Sequence, residues 1–295
     1  MKKNKIFVAG HKGMVGNAIT KFLKDNGYRN LLLPTRVDLD LTDSKAVEEW
    51  FCKNKPQVVI LAAAKVGGIH ANNTYLADFI YQNLEIQSNL IHSAYLTKVK
   101  KLMFLGSSCV YPKKPKIPIK EEYLLTSELE NTNEMYAIAK IAGLKMCKAY
   151  NAQFKTDFRA IMPTNLYGQN DNYDSLNSHV LAALIKKIVL AKKQNKKSFT
   201  VWGTGKPKRE FLHVDDLSNA IKFIINNEIE DSILNVGSGD EVSIKSIAEN
   251  IKQVIDYRGD LSFDKSKPDG NPRKLLDSSK IVYSLIFIVL SVLAI

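Results

Sequence analysis

From the N-terminus to about residue 165, short apolar runs alternate with longer amphipathic stretches. Lys5–Ala9, Leu31–Pro34, Val58–Ala62 and Lys101–Leu105 read as strands; Asn17–Asn26, Ser44–Lys53 and the long patterned stretch Asn73–Thr97 read as the helices between them. A run that is apolar at every position, such as VVILAAA, suits a strand buried on both faces of a parallel sheet, with helices as crossovers. Gly27 falls where the first helix has to stop, as a left-handed cap. A helix over Tyr136–Ala149 and a strand over Phe158–Met162 extend the series. The pattern predicts an α/β protein with a Rossmann-like, doubly wound parallel sheet over residues 1–165.

Beyond that point the alternation fades. The loop YGQNDNYDSLNS leads into a basic helix, His179–Lys193, and a further helix is read over Ile244–Val254. Residues 166–295 are expected to form mainly a smaller, substrate-binding region, with some segments returning to the first. No repeat of 20–50 residues is present, which disfavours a solenoid.

Composition narrows the class. The 295 residues are 45% hydrophobic and 24% charged, the balance of a globular protein. Cys52, Cys109 and Cys147 form no CxxC pair, so neither a disulfide scaffold nor a cysteine-rich zinc site is supported, no metal is called, and a reducing, cytoplasmic compartment is the default. Lys2, Lys3 and Lys5 run directly into IFVAG with no long apolar segment between them, unlike a secretory signal. The net charge of +12 suits anionic partners without saying which.

The segment from Ile281 to Ile295 is almost wholly apolar. As a helix it would reach roughly 22 Å against a hydrocarbon core of about 30 Å, so no membrane span is assigned.

Three constellations carry chemistry. Gly10-His11-Lys12-Gly13-Met14-Val15-Gly16 lies between the first strand and first helix, where glycines let backbone approach a pyrophosphate and the helix N-terminus meets its charge. The spacing is GxxGxxG, not GxGxxG; a purely structural turn is the plainer reading, and the strand-to-helix position favours a dinucleotide site. At the end of the second strand, where an NAD site usually offers Asp or Glu, this sequence offers Arg36, which suits a 2′-phosphate and hence NADP(H). Lys12 is either a second contact to that phosphate or an ordinary surface lysine.

The third is Tyr136-Ala137-Ile138-Ala139-Lys140, which places a phenol and an ammonium a turn apart on one helix face. Such a lysine is expected to lower the phenol's pKa and make it a proton donor or acceptor for a carbonyl or alcohol. Ser107-Ser108-Cys109 follows the apolar strand KLMFLG, at the end of a strand where such folds carry chemistry.

The set GHKGMVG, AAAKVGGIHAN, GSSCVYP, YAIAK, PTNLYGQND, VWGTGKPKREFLHVDDL and PDGNPRKLLD resembles the GDP-L-fucose synthases, the GDP-4-keto-6-deoxy-D-mannose 3,5-epimerase/4-reductases of the extended short-chain dehydrogenase/reductase superfamily. The likeness runs from about residue 5 to Lys280, and its more specific marks are the cysteine after Ser107-Ser108 and His179. It implies NADPH held by residues 10–16, Arg36, Leu105, Gly106, Ser107, Ser108, Lys140, Pro163, Thr164, Asn165, Leu166 and His179. It implies a GDP-sugar substrate held by Lys187, Trp202, Arg209 and Asp269, with Tyr136 and Ser107 serving reduction and Cys109 and His179 serving epimerisation. It also implies a homodimer, paired through the helix from Asn73 and the helix carrying Tyr136.

The chemistry is consistent with those roles. A 4-keto sugar is acidic at C3 and C5, and inverting either centre needs a base on one face and an acid on the other. Cys109 alone is more often a small buried hydrophobe, and His179, opening an apolar helix, could equally cap or pack; the context favours catalysis for both. Lys187 rests on the resemblance.

Rival readings are a reductase without epimerase activity, a nucleotide-sugar 4-epimerase or 4,6-dehydratase, and an inactive NADP-binding sensor or scaffold. A dehydratase is expected to carry an acid near position 109, where this chain has cysteine, and the intact Ser107, Cys109, Tyr136, Lys140 and His179 oppose an inactive protein. The lysines at 186–197 lack the interleaved aromatics of a nucleic-acid site, and none is assigned. After RKLLD the chain departs from the family's charged amphipathic helix; a truncated or out-of-frame end, or a short core or dimer segment, would explain it.

Overall fold

In the computed structural model, which describes residues 1–174, 178–267 and 269–282, the apolar runs become strands nearly as read. In chain order these are β1 (Ile6–Ala9), α1 (Met14–Asp25), β2 (Leu31–Leu32), α2 (Ser44–Asn54), β3 (Val58–Leu61), α3 (Ile69–Thr74), α4 (Leu76–Leu96) and β4 (Lys101–Leu105). They continue as α5 (Glu134–Phe154), β5 (Phe158–Pro163), β6 (Asn165–Tyr167), α6 (Val180–Lys193), β7 (Ser198–Trp202), β8 (Lys208–His213) and α7 (Val214–Asn226). The chain closes with β9 (Ile233–Val236), β10 (Glu241–Ser243), α8 (Ile244–Val254) and β11 (Asp260–Asp264).

The main sheet has the order β2-β1-β3-β4-β5-β9, and every pairing in it is parallel. The order reverses at β1, so a crevice opens between the carboxyl ends of β1 and β3, the place where doubly wound sheets take ligands. Successive side chains of β1 serve opposite faces: Phe7 packs with Phe51, Leu90 and Leu144 from α2, α4 and α5, while Ile6 and Val8 pack with Ile19, Leu217 and Ile221 from α1 and α7. Burying each such side chain is worth ~1.5–3 kcal/mol, which is why β1 and β3 are apolar throughout and β4 is apolar after Lys101.

Two boundaries differ from the pattern. The stretch from Asn73 is not one helix: Tyr75, at φ −107° and ψ 47°, breaks it between α3 and α4. The first helix starts at Met14 because the glycine loop feeds straight into it. It ends as read, with Gly27 at φ +85° donating to the Lys24 carbonyl.

The remaining elements build a smaller layer. β10, β8 and β6 form one sheet and β11 and β7 another, and α6 and α8 close a third apolar cluster around Ile188, Val201 and Ala248. β9 and α7 instead join the main sheet and its flank. Among the described residues no helix is long and apolar enough to cross a membrane. The tail beyond Val282, and the expectation of an altered end, lie outside the described residues.

Candidate active site

The glycine loop is shaped by close approach. A Cβ on Gly16 would stand 2.2 Å from the Gly10 carbonyl oxygen, and one on Gly10, itself at φ +85°, would stand 2.7 Å from the Ala63 backbone nitrogen beyond β3. Gly13 is different: its Cβ would touch only the Gly10 oxygen, at 3.5 Å. It is the N-cap of α1 with no side-chain cap and no acid in the first turn, which leaves the helix N-terminus ready for an anion. His11 Nδ1 is buried without a hydrogen-bond partner, and burial followed by the Lys12 charge holds its pKa below the usual histidine value. Met14 and Val15 are half-buried behind the loop, and Lys12 is exposed.

At the end of β2, Arg36 is 82% exposed in its side chain, with Asp40 4.0 Å away. The acids of this loop serve the loop itself. Asp38 accepts from Thr35 N and Oγ1 at 2.8 and 2.7 Å, which holds its carboxyl below the usual range, and Asp40 accepts from Thr42. A Cβ-free cradle, an uncapped helix N-terminus and an exposed cation beside engaged carboxylates fit a dinucleotide with a 2′-phosphate.

Past β4, Ser107 Oγ accepts from Cys109 N at 3.3 Å and caps a short 3-10 turn over Ser108–Val110. Cys109 is a free thiol, 8% exposed. From α5, Lys140 Nζ donates to the Leu105 carbonyl at 2.8 Å and lies 4.7 Å from the Phe104 ring centre and 5.8 Å from that of Tyr136. Gln87 on α4 fixes this stretch of α5 by donating to the Ala139 carbonyl at 2.6 Å, a support that no local motif announces. Leu105, Gly106, Ser107, Ser108, Cys109, Tyr136 and Lys140 therefore meet at the end of β4.

The electrostatics correct one expectation. Burial, and after it the Cys109 sulfur, raises the Tyr136 phenol well above its ordinary value, and Lys140 does not lower it. Lys140 is itself pushed down to about 8, because its ammonium is buried against a ring and a carbonyl. Tyr136 is thus held as a phenol, a proton donor. Burial likewise raises the Cys109 thiol, opposed first by Lys274, then by Ser107 and Lys140.

Pro163 ends β5; beyond it, Thr164 Oγ1 and Asn165 Nδ2 both donate to the Glu210 carbonyl, and Leu166 pairs with Leu212. The other named residues lie in the smaller layer. Lys187 Nζ is 4.8 Å from the Trp202 ring centre, with Lys267 at 5.6 Å from the same ring. Arg209 donates to the Asn271 carbonyl at 2.6 Å. Asp269 is engaged by Thr204 N and Oγ1 at 2.6 and 2.7 Å. His179 stands exposed as the N-cap of α6, and among the described residues no hydrogen bond or ion pair joins it to Cys109, Ser107 or Tyr136. Lys274, which the sequence reading left without a role, is the charge acting most strongly on Cys109. The only local hint of it is the basic pair Arg273-Lys274 after PDGNP.

Comparison with known proteins identifies the family. Residues 6–237 match the model of the NAD dependent epimerase/dehydratase family. GDP-L-fucose synthase 1 of Arabidopsis thaliana is 57% identical over 95% of this chain and 87% of that protein. GDP-L-fucose synthase of Escherichia coli (strain K12) is 51% identical over 95% of this chain and 90% of that protein. Among solved structures, MlghC, a GDP-mannoheptose C4 reductase from Campylobacter jejuni with NADP bound, superimposes with a TM-score of 0.88 at 40% identity, covering 97% of this chain and 93% of that one. The chain belongs to the NAD dependent epimerase/dehydratase family and, within it, stands with the GDP-L-fucose synthases.

Proposed function

We propose that this protein converts GDP-4-keto-6-deoxy-D-mannose to GDP-L-fucose by 3,5-epimerisation and NADPH-dependent 4-reduction. The observation that carries the reading is the meeting of a thiol and a phenol at one strand end: Cys109 beside Ser107, with Tyr136 and Lys140 facing it from α5. One supplies a base for the acidic C–H bonds flanking the ketone, the other an acid for its oxygen.

Cys109, acting as its thiolate, removes the proton at C3 or C5; the C–H bond breaks, S–H forms, and the electron pair passes into the enolate at O4. His179, from the start of α6, returns a proton to the other face. Ser107 Oγ, which accepts from Cys109 N, keeps its own hydrogen to donate to O4. When bound in the glycine cradle, NADPH supplies the hydride that reduces C4. Tyr136, kept protonated by burial, gives its proton to the resulting alkoxide. Residues 10–16, Arg36, Lys12, Leu105–Ser108, Lys140, Pro163–Leu166 and His179 hold the cofactor, and Lys187, Trp202, Arg209 and Asp269 hold the GDP-sugar.

The reading extends to a cytoplasmic homodimer paired through α4 and α5. Tyr81 and Leu96 on α4 and Ile138 and Phe154 on α5 support it, being large apolar side chains left exposed. Light scattering on the purified protein tests the dimer.

The test of function is incubation with the 4-keto substrate and NADPH in deuterated water. NADPH oxidation with deuterium at both C3 and C5 is the expected result. Oxidation without exchange would leave a reductase only and remove the roles of Cys109 and His179.

A further inference from the structure

Trp202, the last residue of β7, is 61% exposed. Two ammoniums converge on its ring. Lys187 Nζ reaches it from α6, 4.8 Å from the ring centre, and Lys267 Nζ from the turn after β11, 5.6 Å away. Both lie inside the ~6 Å at which an aromatic face attracts a cation. Lys187 already belongs to the substrate site; Lys267 has had no role.

The backbone delivers Lys267 to this place. β11 pairs in parallel with β7, Asp264 stands opposite Trp202, and Gly203 N donates to the Asp264 carbonyl at 2.9 Å. Asp264 then turns the chain. Its Oδ1 accepts from Ser266 N and Oγ at 3.0 and 2.6 Å, and its carbonyl accepts from Lys267 N at 3.2 Å. That tight turn returns Lys267 to the strand end beside Trp202.

The carboxylates closest in the chain are engaged by neutral donors. Asp264 holds Ser266, and the two oxygens of Asp269 accept from Thr204 N and Oγ1. Gly203, at φ +81°, makes room for the second arrangement, because a Cβ there would stand 2.3 Å from Asp269 Oδ1. Among the described residues neither Lys187 nor Lys267 has an ion pair or a side-chain hydrogen bond. Two like charges set against one ring with no acid between them repel each other and gain from an anion that spans them. The exposed indole beside them suits a planar base. A base carrying two linked anionic groups is a nucleoside diphosphate. Arg209, the nearby alternative, already gives Nη1 to the Lys208 and Asn271 carbonyls at 2.8 and 2.6 Å.

We propose that Lys267 is the second cation of a clamp on the diphosphate of the GDP-sugar, Lys187 taking one phosphate and Lys267 the other. This rests on the reading of the substrate as a GDP-sugar. The lysine stem is flexible and its ammonium a compact point charge, so each can leave the ring for a phosphate oxygen.

Calorimetric titration of GDP and of GMP into full-length wild type, Lys187→Met, Lys267→Met and Lys267→Arg tests the clamp. The two Met variants should differ in pattern. Loss of the cation on the inner phosphate weakens GDP and GMP alike; loss of the cation on the outer phosphate weakens GDP alone. Either loss should weaken GDP about tenfold, while Lys267→Arg stays within about twofold of wild type. With the 4-keto substrate the Lys267→Met defect should fall on KM, and added salt should weaken GDP binding less in that variant than in wild type. Lys267 is exposed, so the melting temperature should hold. Unchanged GDP affinity in Lys267→Met, or one nucleotide pattern shared by both Met variants, would overturn the clamp and leave the GDP-sugar reading in place. A wild type that binds no GDP would sink that reading and the clamp with it.

Discussion

Lys140 Nζ donates to the Leu105 carbonyl at 2.8 Å, so one ammonium ties the strand that leads to Ser107 to the helix that presents Tyr136. Removing it disturbs both the distance between those two groups and the charge between them.

That ammonium makes stability depend on pH. Its pKa is about 8 in the folded chain against an ordinary 10.5, because burial disfavours the charge. Below about 8 both states carry the proton and the fold bears the full cost of burying it. Between the two values the unfolded chain binds more protons than the folded one, so stability rises with pH and levels off above the upper value. The Lys140→Met protein should lack this rise. The gap between the two urea-denaturation curves should narrow by up to ~3 kcal/mol across that range. A pH-independent gap would contradict the assignment.

Gly16→Ala and Gly13→Ala should part company. The first drives a methyl to 2.2 Å from the Gly10 carbonyl, against backbone that has nowhere to go, and should lower both melting temperature and NADPH affinity. A strained insertion of this kind costs about 1–3 kcal/mol. The second meets only an ordinary contact, so its melting temperature should hold while NADPH fluorescence titration shows weaker binding.

Arg36→Ala removes a side chain that is 82% exposed and whose ion pair with Asp40 is 4.0 Å long. Stability should stay within about 0.5 kcal/mol of wild type. The kcat/KM ratio for NADPH over NADH should fall about tenfold or more, the loss of one charge-assisted contact to a 2′-phosphate. An unchanged ratio would place the cofactor discrimination elsewhere.

Tyr111→Phe probes the buried join between the main sheet and the returning C-terminal segment. The Tyr111 hydroxyl donates to Asn235 Oδ1 at 2.6 Å, and the same Asn235 donates through Nδ2 to the Ile119 and Asp277 carbonyls. Leaving that oxygen unpaired should cost about 1–3 kcal/mol in chemical denaturation with little change in kcat.

Much of this was legible in the chain because the signals are local. Strands apolar at every position, a glycine loop between strand and helix, and Tyr136 four residues from Lys140 all lie within a few residues of one another. What could not be read depends on distant partners. The β5–β9 pairing joins Ala160 to Ile233, and nothing near either residue announces the other. Glu210 reads as one more acid in KREFLH, yet it is fully buried and holds the backbone at both Gly239 and Leu276. The direction of the Tyr136 shift was misread for a related reason: helix spacing shows the lysine next to the phenol but not the burial that outweighs it. Tyr75, which breaks the long helix, carries no proline or glycine to mark it.

The position of β9 also shapes how this protein is made. A chain leaving the ribosome has delivered five of the six strands of the main sheet by Pro163, but the free edge of β5 stays bare until Val236 has emerged. At ~5–20 residues per second, translation leaves a seconds-long interval in which an apolar, parallel strand edge waits unpaired beside its own nascent neighbours on a polysome. Synthesis rate through β6 to α7, and chaperones that shield that edge, therefore bear on the yield of native protein as directly as any contact in the finished fold.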